Sequence, residues 1–373
     1  MKFLLIAGFA ESVLVFRGPL IRALMSSGCT VHVAAPGLVP GSALHRTLLD
    51  MGVVAHDIRL RRSGINPFED VGTFLHLRRL MKTVRPDVAL GYTIKPVIYG
   101  AFAARLAGVP RFYALITGLG HAFMNERKDG LLRRLVQGLY AAALKHAKMV
   151  FFQNPDDEAL FRAIPILHQK TPSKVINGSG VDIDMYQLAS IPAGAPSFLL
   201  IARLLGDKGI REYVAAARLV RLQHPHIRFS LVGWIDENPS AVSRHELDEW
   251  IREGTIDYLG RLSDVRPAIA DSSVYVLPSY REGTPRTVLE AMAMGRPVIT
   301  TDAPGCRETV QHGVNGFLVP VKAVDELAAA MLEFIENPEL VQSMGRASRR
   351  LVQEKYDVNK VNEVMLRSMG IAA

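Results

Sequence analysis

The feature that most restricts what this chain can fold into is an alternation of short apolar runs with longer amphipathic ones, which begins at the N-terminus and starts afresh near the middle. KFLLIAG has the unbroken apolar character of a strand buried on both faces, the helical pattern of FRGPLIRALMSSG stops on Gly28, and TVHVAAP supplies the next strand. VVAHDI, the helix-like FEDVGTFLHLRRLMKTV and, after Pro86, DVALGY repeat the unit. Strand, helix and strand in this order build a parallel, doubly wound α/β sheet. After IPAGAPS (191–197), a linker by its Pro, Gly and Ser content, the rhythm returns in SFLLIARL, REYVAAARLVRLQ, HIRFSLVG, DYLG, VYVLPS and PVITT.

A chain of 373 residues exceeds one ordinary core, so two domains of roughly 180 residues fit both length and rhythm. The expected layout is two Rossmann-like doubly wound domains facing across a cleft, 1–190 and 191–355, with EKYDVNKVNEVMLRSM forming a terminal helix within 356–373. In such sheets ligands bind beyond the carboxyl ends of the strands, and the polar motifs of this chain fall at those ends.

Composition narrows the class further. Hydrophobic residues at 49% and charged ones at 21% describe a soluble globular protein. No apolar run approaches the roughly 20 residues of a spanning helix, and MKFLLIAGFAESV meets Glu11 early and lacks a cleavage site, so a cytoplasmic location is expected. Cys29 and Cys306 belong to no CxxC or Cys/His cluster and read as reduced thiols. Charge is uneven: residues 1–180 carry 23 Lys+Arg against 11 Asp+Glu (+12) and residues 181–373 carry 21 against 25 (−4), which together give the formal +8. A basic half implies an anionic partner; nucleic acid, anionic lipid and a diphosphate-bearing substrate all qualify.

The chemistry concentrates in SYREGTPRTVLEAMAMGRPVIT (279–300). Glu282 stands in a loop at a strand's carboxyl end, backbone N–H groups from Gly283 onward can face an anion at a helix start, and Glu290 follows about two turns later. Eight helical residues span about 12 Å, against the roughly 5 Å between the carboxyl groups of a retaining glycosidase, so the glutamates suit two ends of one extended ligand. In IARLLGDKGI, Arg203 and Lys208 follow another strand, with Gly206 and Gly209 permitting close backbone approach; two cations there suit a diphosphate.

The order Arg203, Lys208, Glu282, Glu290 resembles the retaining glycosyltransferases of family 4 with the GT-B fold, whose signature is two glutamates separated by seven residues. NGSGVD (177–182) is similar to that family's interdomain segment, and RSGINPFED, RPDVALGYTIKPVIYG and ITGLGHAF resemble a bacterial subgroup that extends lipid-linked oligosaccharides for capsules, O-antigens and protein glycosylation. The resemblance implies that Arg203 and Lys208 hold the donor diphosphate, that Glu282 contacts the transferred sugar and Glu290 the ribose, and that backbone amides of Gly283, Thr284, Pro285 and Arg286 frame the donor pocket. Gly18 in FRGPLI resembles a glycine-containing loop that approaches the donor phosphates, and the final helix is implied to cross back onto the first domain.

The implied reaction moves a hexose or N-acetylhexosamine from a UDP-sugar donor to a polyprenyl-diphosphate-linked saccharide, with retained configuration and no metal or other cofactor. Thr93 and Lys95 in YTIKP, with Gly118 and His121 in ITGLGH, are the acceptor-side candidates; for Lys95 an acceptor phosphate contact stands beside a supporting structural role, and for His121 sugar orientation stands beside an ordinary polar turn. Asp182-Ile183-Asp184 spells a DxD metal signature, but it follows NGSG at a domain junction, and Arg203 with Lys208 already compensates a diphosphate. RLRRSGINP and the run from ERKDGLLRRL to KMVFF interleave cations with apolar residues, so an anionic membrane surface is an expected partner, at the inner face of the cytoplasmic membrane. Two rivals are weighed: a nucleotide-sugar epimerase of the same fold, and a nucleic-acid binder, for which no recognised module is present.

Overall fold

The structure is a computed structural model that describes residues 1–61, 66–118, 130–236, 238 and 240–371. The chain divides into two compact units: residues 1–179 with 359–373, and residues 180–358.

The first unit carries a seven-stranded sheet with every pairing parallel, in the order β3-β2-β1-β4-β5-β6-β7. Its strands are β1 (Lys2–Ile6), β2 (Thr30–Ala35), β3 (Val54–Asp57), β4 (Val88–Tyr92), β5 (Arg111–Ile116), β6 (Met149–Phe152) and β7 (Ser173–Val175). Helices α1 (Glu11–Ser26), α2 (Ala43–Asp50), α3 (Pro67–Val84), α4 (Ile94–Ala107), α5 (Gly130–Leu144) and α6 (Pro155–Ala163) fill the connections. Strand alternation explains the unbroken apolar runs: Phe3 and Leu5 enter one core, Leu4 and Ile6 the other, and all four are fully buried. The order turns between β1 and β4, the topological switch point where such sheets bind ligands.

The second unit repeats the plan with β8 (Phe198–Ile201), β9 (Phe229–Val232), β10 (Asp257–Gly260), β11 (Val274–Leu277), β12 (Val298–Thr301) and β13 (Gly316–Val319) in the order β10-β9-β8-β11-β12-β13. Its helices are α7 (Ile210–Gln223), α8 (Arg244–Arg252), α9 (Arg266–Ala270), α10 (Arg286–Ala293), α11 (Val324–Glu336) and α12 (Glu339–Leu351). The switch point here lies between β8 and β11.

The division between units falls at 179/180, ahead of the expected 190/191 boundary, and packing gives the reason. The Val181 amide donates to Tyr356 O (2.9 Å), the Val358 amide donates to Val181 O (3.0 Å), and Tyr186 is buried in the second unit's core. IPAGAPS is thus internal to that unit, with Ile191 packed on its core and Ser197 buried. The terminal helix α13 (Val358–Ser368) brings Met365 and Leu366, and then Met369 and Ile371, into the first unit's core, where the Tyr113 hydroxyl donates to Met369 O at 3.1 Å. Among the described residues no helix is long and apolar enough to cross a membrane.

Candidate active site

Two loops meet at the switch point of the second unit. After β8 the chain passes Arg203 and makes a single 3₁₀ turn, Gly206–Lys208. Gly209 then takes φ +70°, and a Cβ there would lie 2.1 Å from Pro278 O, so only glycine lets this turn rest on the end of β11. The seating is fastened by Asp207 O, which accepts from the Tyr280 amide at 2.9 Å and lies 3.0 Å from Ser279 Oγ.

That contact brings the two motifs together. Lys208 Nζ lies 2.5 Å from Glu282 Oε1, and Ser279 Oγ lies 2.9 Å from the same oxygen. Both charged side chains are about 15% exposed, so the pair is screened far less than a surface one while still opening to a ligand. The Glu282 amide donates to Pro304 O at 2.9 Å, and Gly305, at φ +81°, passes so close that a Cβ would lie 2.2 Å from Glu282 O. Arg203 is steered by a partner the sequence reading missed: its Nη1 lies 2.9 Å from Asp236 Oδ2, in the loop after β9. Asp236 steers the guanidinium through this contact, and Arg203 keeps 36% of its side-chain surface exposed.

Glu290 behaves differently. It lies in α10, only 5% exposed, with Arg286 Nε 2.7 Å from Oε1 and the Tyr186 hydroxyl as a further hydrogen-bond partner. Burial pushes its carboxyl pKa up, and the Arg286 guanidinium opposes the shift. Arg286, expected to serve through its backbone amide, thus also holds Glu290 with its side chain. Pro285 is the N-cap of α10, no side chain caps the helix, and Gly283 and Thr284 lead into it.

In the first unit the candidates are distributed less tightly. Gly18 sits buried inside α1 beside Pro19, not in a loop. The buried face of Val13, Leu20, Ile21 and Leu24 carries the helix across both residues. The glycine in the loop after β1 is Gly8, whose Cβ would meet Thr93 Oγ1 at 2.8 Å. Thr93 lies at the switch point with φ +69°, a strained backbone for a β-branched residue. Lys95 Nζ is 2.7 Å from Asp70 Oδ1, both nearly buried, which favours its structural role over a free cation for an acceptor phosphate. Gly118 follows β5 at φ +122°, and His121 lies outside the described residues. Asp182 Oδ1 accepts from the Asp184 and Met185 amides at 3.1 and 3.0 Å, so the DxD aspartate closes a turn. Among the described residues no group of three or more His, Cys, Asp and Glu could hold a metal ion.

Two doubly wound domains, with an Arg/Lys loop and a Glu loop joined at the second domain's switch point, define a GT-B glycosyltransferase. A "Glycosyl transferase 4-like" model matches residues 3–154 and a "Glycosyl transferases group 1" model matches residues 195–337, and the chain belongs to this family of glycosyltransferases. It is 28% identical over 95% of both chains to the N,N'-diacetylbacillosaminyl-diphospho-undecaprenol alpha-1,3-N-acetylgalactosaminyltransferase of Campylobacter jejuni. It is 22% identical, over 84% of this chain and 82% of the other, to the UDP-Gal:alpha-D-GlcNAc-diphosphoundecaprenol alpha-1,3-galactosyltransferase of Escherichia coli. The fold matches sucrose-phosphate synthase from Thermosynechococcus elongatus (TM-score 0.82, 18% identity, 98% of each chain) and Anabaena HepE in complex with UDP (TM-score 0.77, 19% identity, 100% of each chain). None of these relatives is an epimerase, and that rival receives no support.

Proposed function

We propose that this glycosyltransferase moves a hexose or N-acetylhexosamine from a UDP-sugar to a polyprenyl-diphosphate-linked saccharide, with retention and without a metal, at the inner face of the cytoplasmic membrane. The observation that carries the reading is the seating of the loop that bears Arg203 and Lys208 against the loop that bears Glu282 at one switch point, with Lys208 and Glu282 in contact. The two named relatives, one of them aligned over 95% of this chain, both have diphosphoundecaprenol-linked saccharides in their names.

On this reading the reaction runs in one concerted displacement. The anomeric C1–O bond to the diphosphate breaks while the acceptor hydroxyl oxygen bonds C1 from the same face, and the hydroxyl proton passes to a departing phosphate oxygen. Arg203, positioned by Asp236, and Lys208, positioned by Glu282, are assigned to the negative charge that grows on the leaving diphosphate, so little reorganisation is needed as the bond breaks. Glu282, anchored by Ser279 and Lys208, offers its carboxylate to sugar hydroxyls. Glu290, held by Arg286 and Tyr186, is assigned to the ribose.

Calorimetric titration of UDP in EDTA tests the diphosphate role and metal independence together. The wild-type protein is expected to bind, and Arg203→Ala or Lys208→Ala to bind about 10- to 100-fold more weakly, the range for losing one charge-assisted hydrogen bond. Equal affinity in the variants would remove these cations from the site. Binding only after Mg²⁺ addition would refute the metal-free reading.

A further inference from the structure

Helix α3 departs from the usual arrangement of a surface helix by carrying apolar residues on its outward face as well as its inward one. Its inward face buries Asp70, Thr73, Leu77, Met81 and Val84. Its solvent face presents Phe68, 90% exposed, Val71, 57%, and Leu75, 51%, where polar residues ordinarily stand. Continuing the same stripe, Arg79 and Lys82 are exposed as well. At 3.6 residues per turn these five side chains fall within an arc of about 80°, along a helix about 27 Å long.

The surroundings are cationic. In sequence, α3, α4 and α5 contain two acids, Glu69 and Asp70. Asp70 is buried against Lys95, and Glu69 lies 3.5 Å from Arg61. Arg105, Arg134 and Lys145 add exposed positive charge on α4, on α5 and just beyond α5. An exposed apolar stripe continued by cations, on a layer with no uncompensated acid in its helices, is the chemistry of a helix lying in a bilayer interface.

We propose that the outward stripe of α3 seats the first unit on an anionic lipid surface: Phe68, Val71 and Leu75 enter the headgroup boundary, and Arg79 and Lys82 meet lipid phosphates. The inference rests on the reading of the acceptor as lipid-linked and gives its membrane partner a place on the chain. The Lys95–Asp70 pair fixes the start of α3 beside the start of α4, which follows the carboxyl end of β4. The apolar end of the stripe therefore lies toward the carboxyl ends of the strands, where Thr93 stands, and a lipid-borne acceptor would approach there.

The full chain is tested by co-sedimentation with vesicles of phosphatidylglycerol and phosphatidylcholine, and with phosphatidylcholine alone. Binding to the anionic vesicles is expected, weakening as salt rises. Phe68→Glu/Leu75→Glu and Arg79→Glu/Lys82→Glu should each reduce affinity at least ~10-fold, since one cation near an anionic surface is worth roughly 5-fold. Because these side chains stand in solvent, melting temperature and turnover on a short-chain, water-soluble diphosphate acceptor should match the wild type. Vesicle binding unchanged in both double variants, or absent in the wild type at low salt, would overturn the proposal. So would a wild-type dimer that Leu75→Glu dissociates while no vesicles are bound. Failure of the transferase reading has a different signature, vesicle binding intact with no acceptor gaining sugar, and leaves the surface assignment standing.

Discussion

Lys208→Ala is expected to lower kcat by about 10²- to 10³-fold, the cost of removing one preorganised group from the site of developing charge. The ammonium sits 2.5 Å from Glu282 Oε1, so its removal also releases the carboxylate from the position in which Ser279 and Lys208 hold it. Part of the loss is therefore positional, and Lys208→Arg should recover only a fraction, because a planar fork does not reproduce a point charge at the end of a flexible stem. The measurement is steady-state kinetics of both variants beside Glu282→Gln and the Lys208→Ala/Glu282→Gln pair. Residues that act as a unit give a double variant little worse than the worse single one. Additive losses would show that the contact between the two is incidental to turnover.

Arg296→Met carries the largest expected effect on stability. Arg296 is completely buried, and its guanidinium is satisfied by backbone carbonyls: Ile269 O at 3.0 Å, Met294 O and Ser190 O at 2.9 Å, and Ala189 O and Ala270 O at 2.8 Å. Burial lowers its pKa to about 10, which leaves it charged at neutral pH. It ties the 189–190 segment to the end of α9 and to the turn after α10. Methionine fills similar volume but leaves several carbonyls unsatisfied, at about 1–3 kcal/mol for each that finds no water. A loss of at least about 3 kcal/mol is expected. Urea denaturation of the full chain, followed by a probe that reports on the second unit, checks it; a loss below about 1 kcal/mol would show that water replaces the guanidinium without strain.

The sheets were legible because parallel strands covered on both faces are written as unbroken apolar runs; FLLI in β8 and VYVL in β11 are buried at every position. The core of the site was legible because its members lie in short loops directly after those strands. What escaped sequence reading depends on distance along the chain. Asp236 reaches Arg203 from 33 residues away, and Tyr186 meets Glu290 from the segment that precedes the linker. Arg296 is satisfied by carbonyl groups, which no residue pattern encodes. Gly18 was expected in a loop only because FRGPLI resembles a glycine-containing loop of the family; the helical pattern of FRGPLIRALMSSG prevails, and buried neighbours on both sides carry α1 through it. The helical pattern of α3 was equally plain, but with apolar residues on both faces it did not reveal that Phe68 faces water.

The most direct test supplies the purified enzyme with a panel of UDP-, GDP- and dTDP-sugars and a mixed pool of polyprenyl-diphosphate saccharides, and follows nucleotide release and lipid mass together. The expected result is release of UDP matched by a lipid product heavier by one sugar. Turnover of the nucleotide sugar with no gain in lipid mass would contradict the assignment of a lipid-linked acceptor to this enzyme.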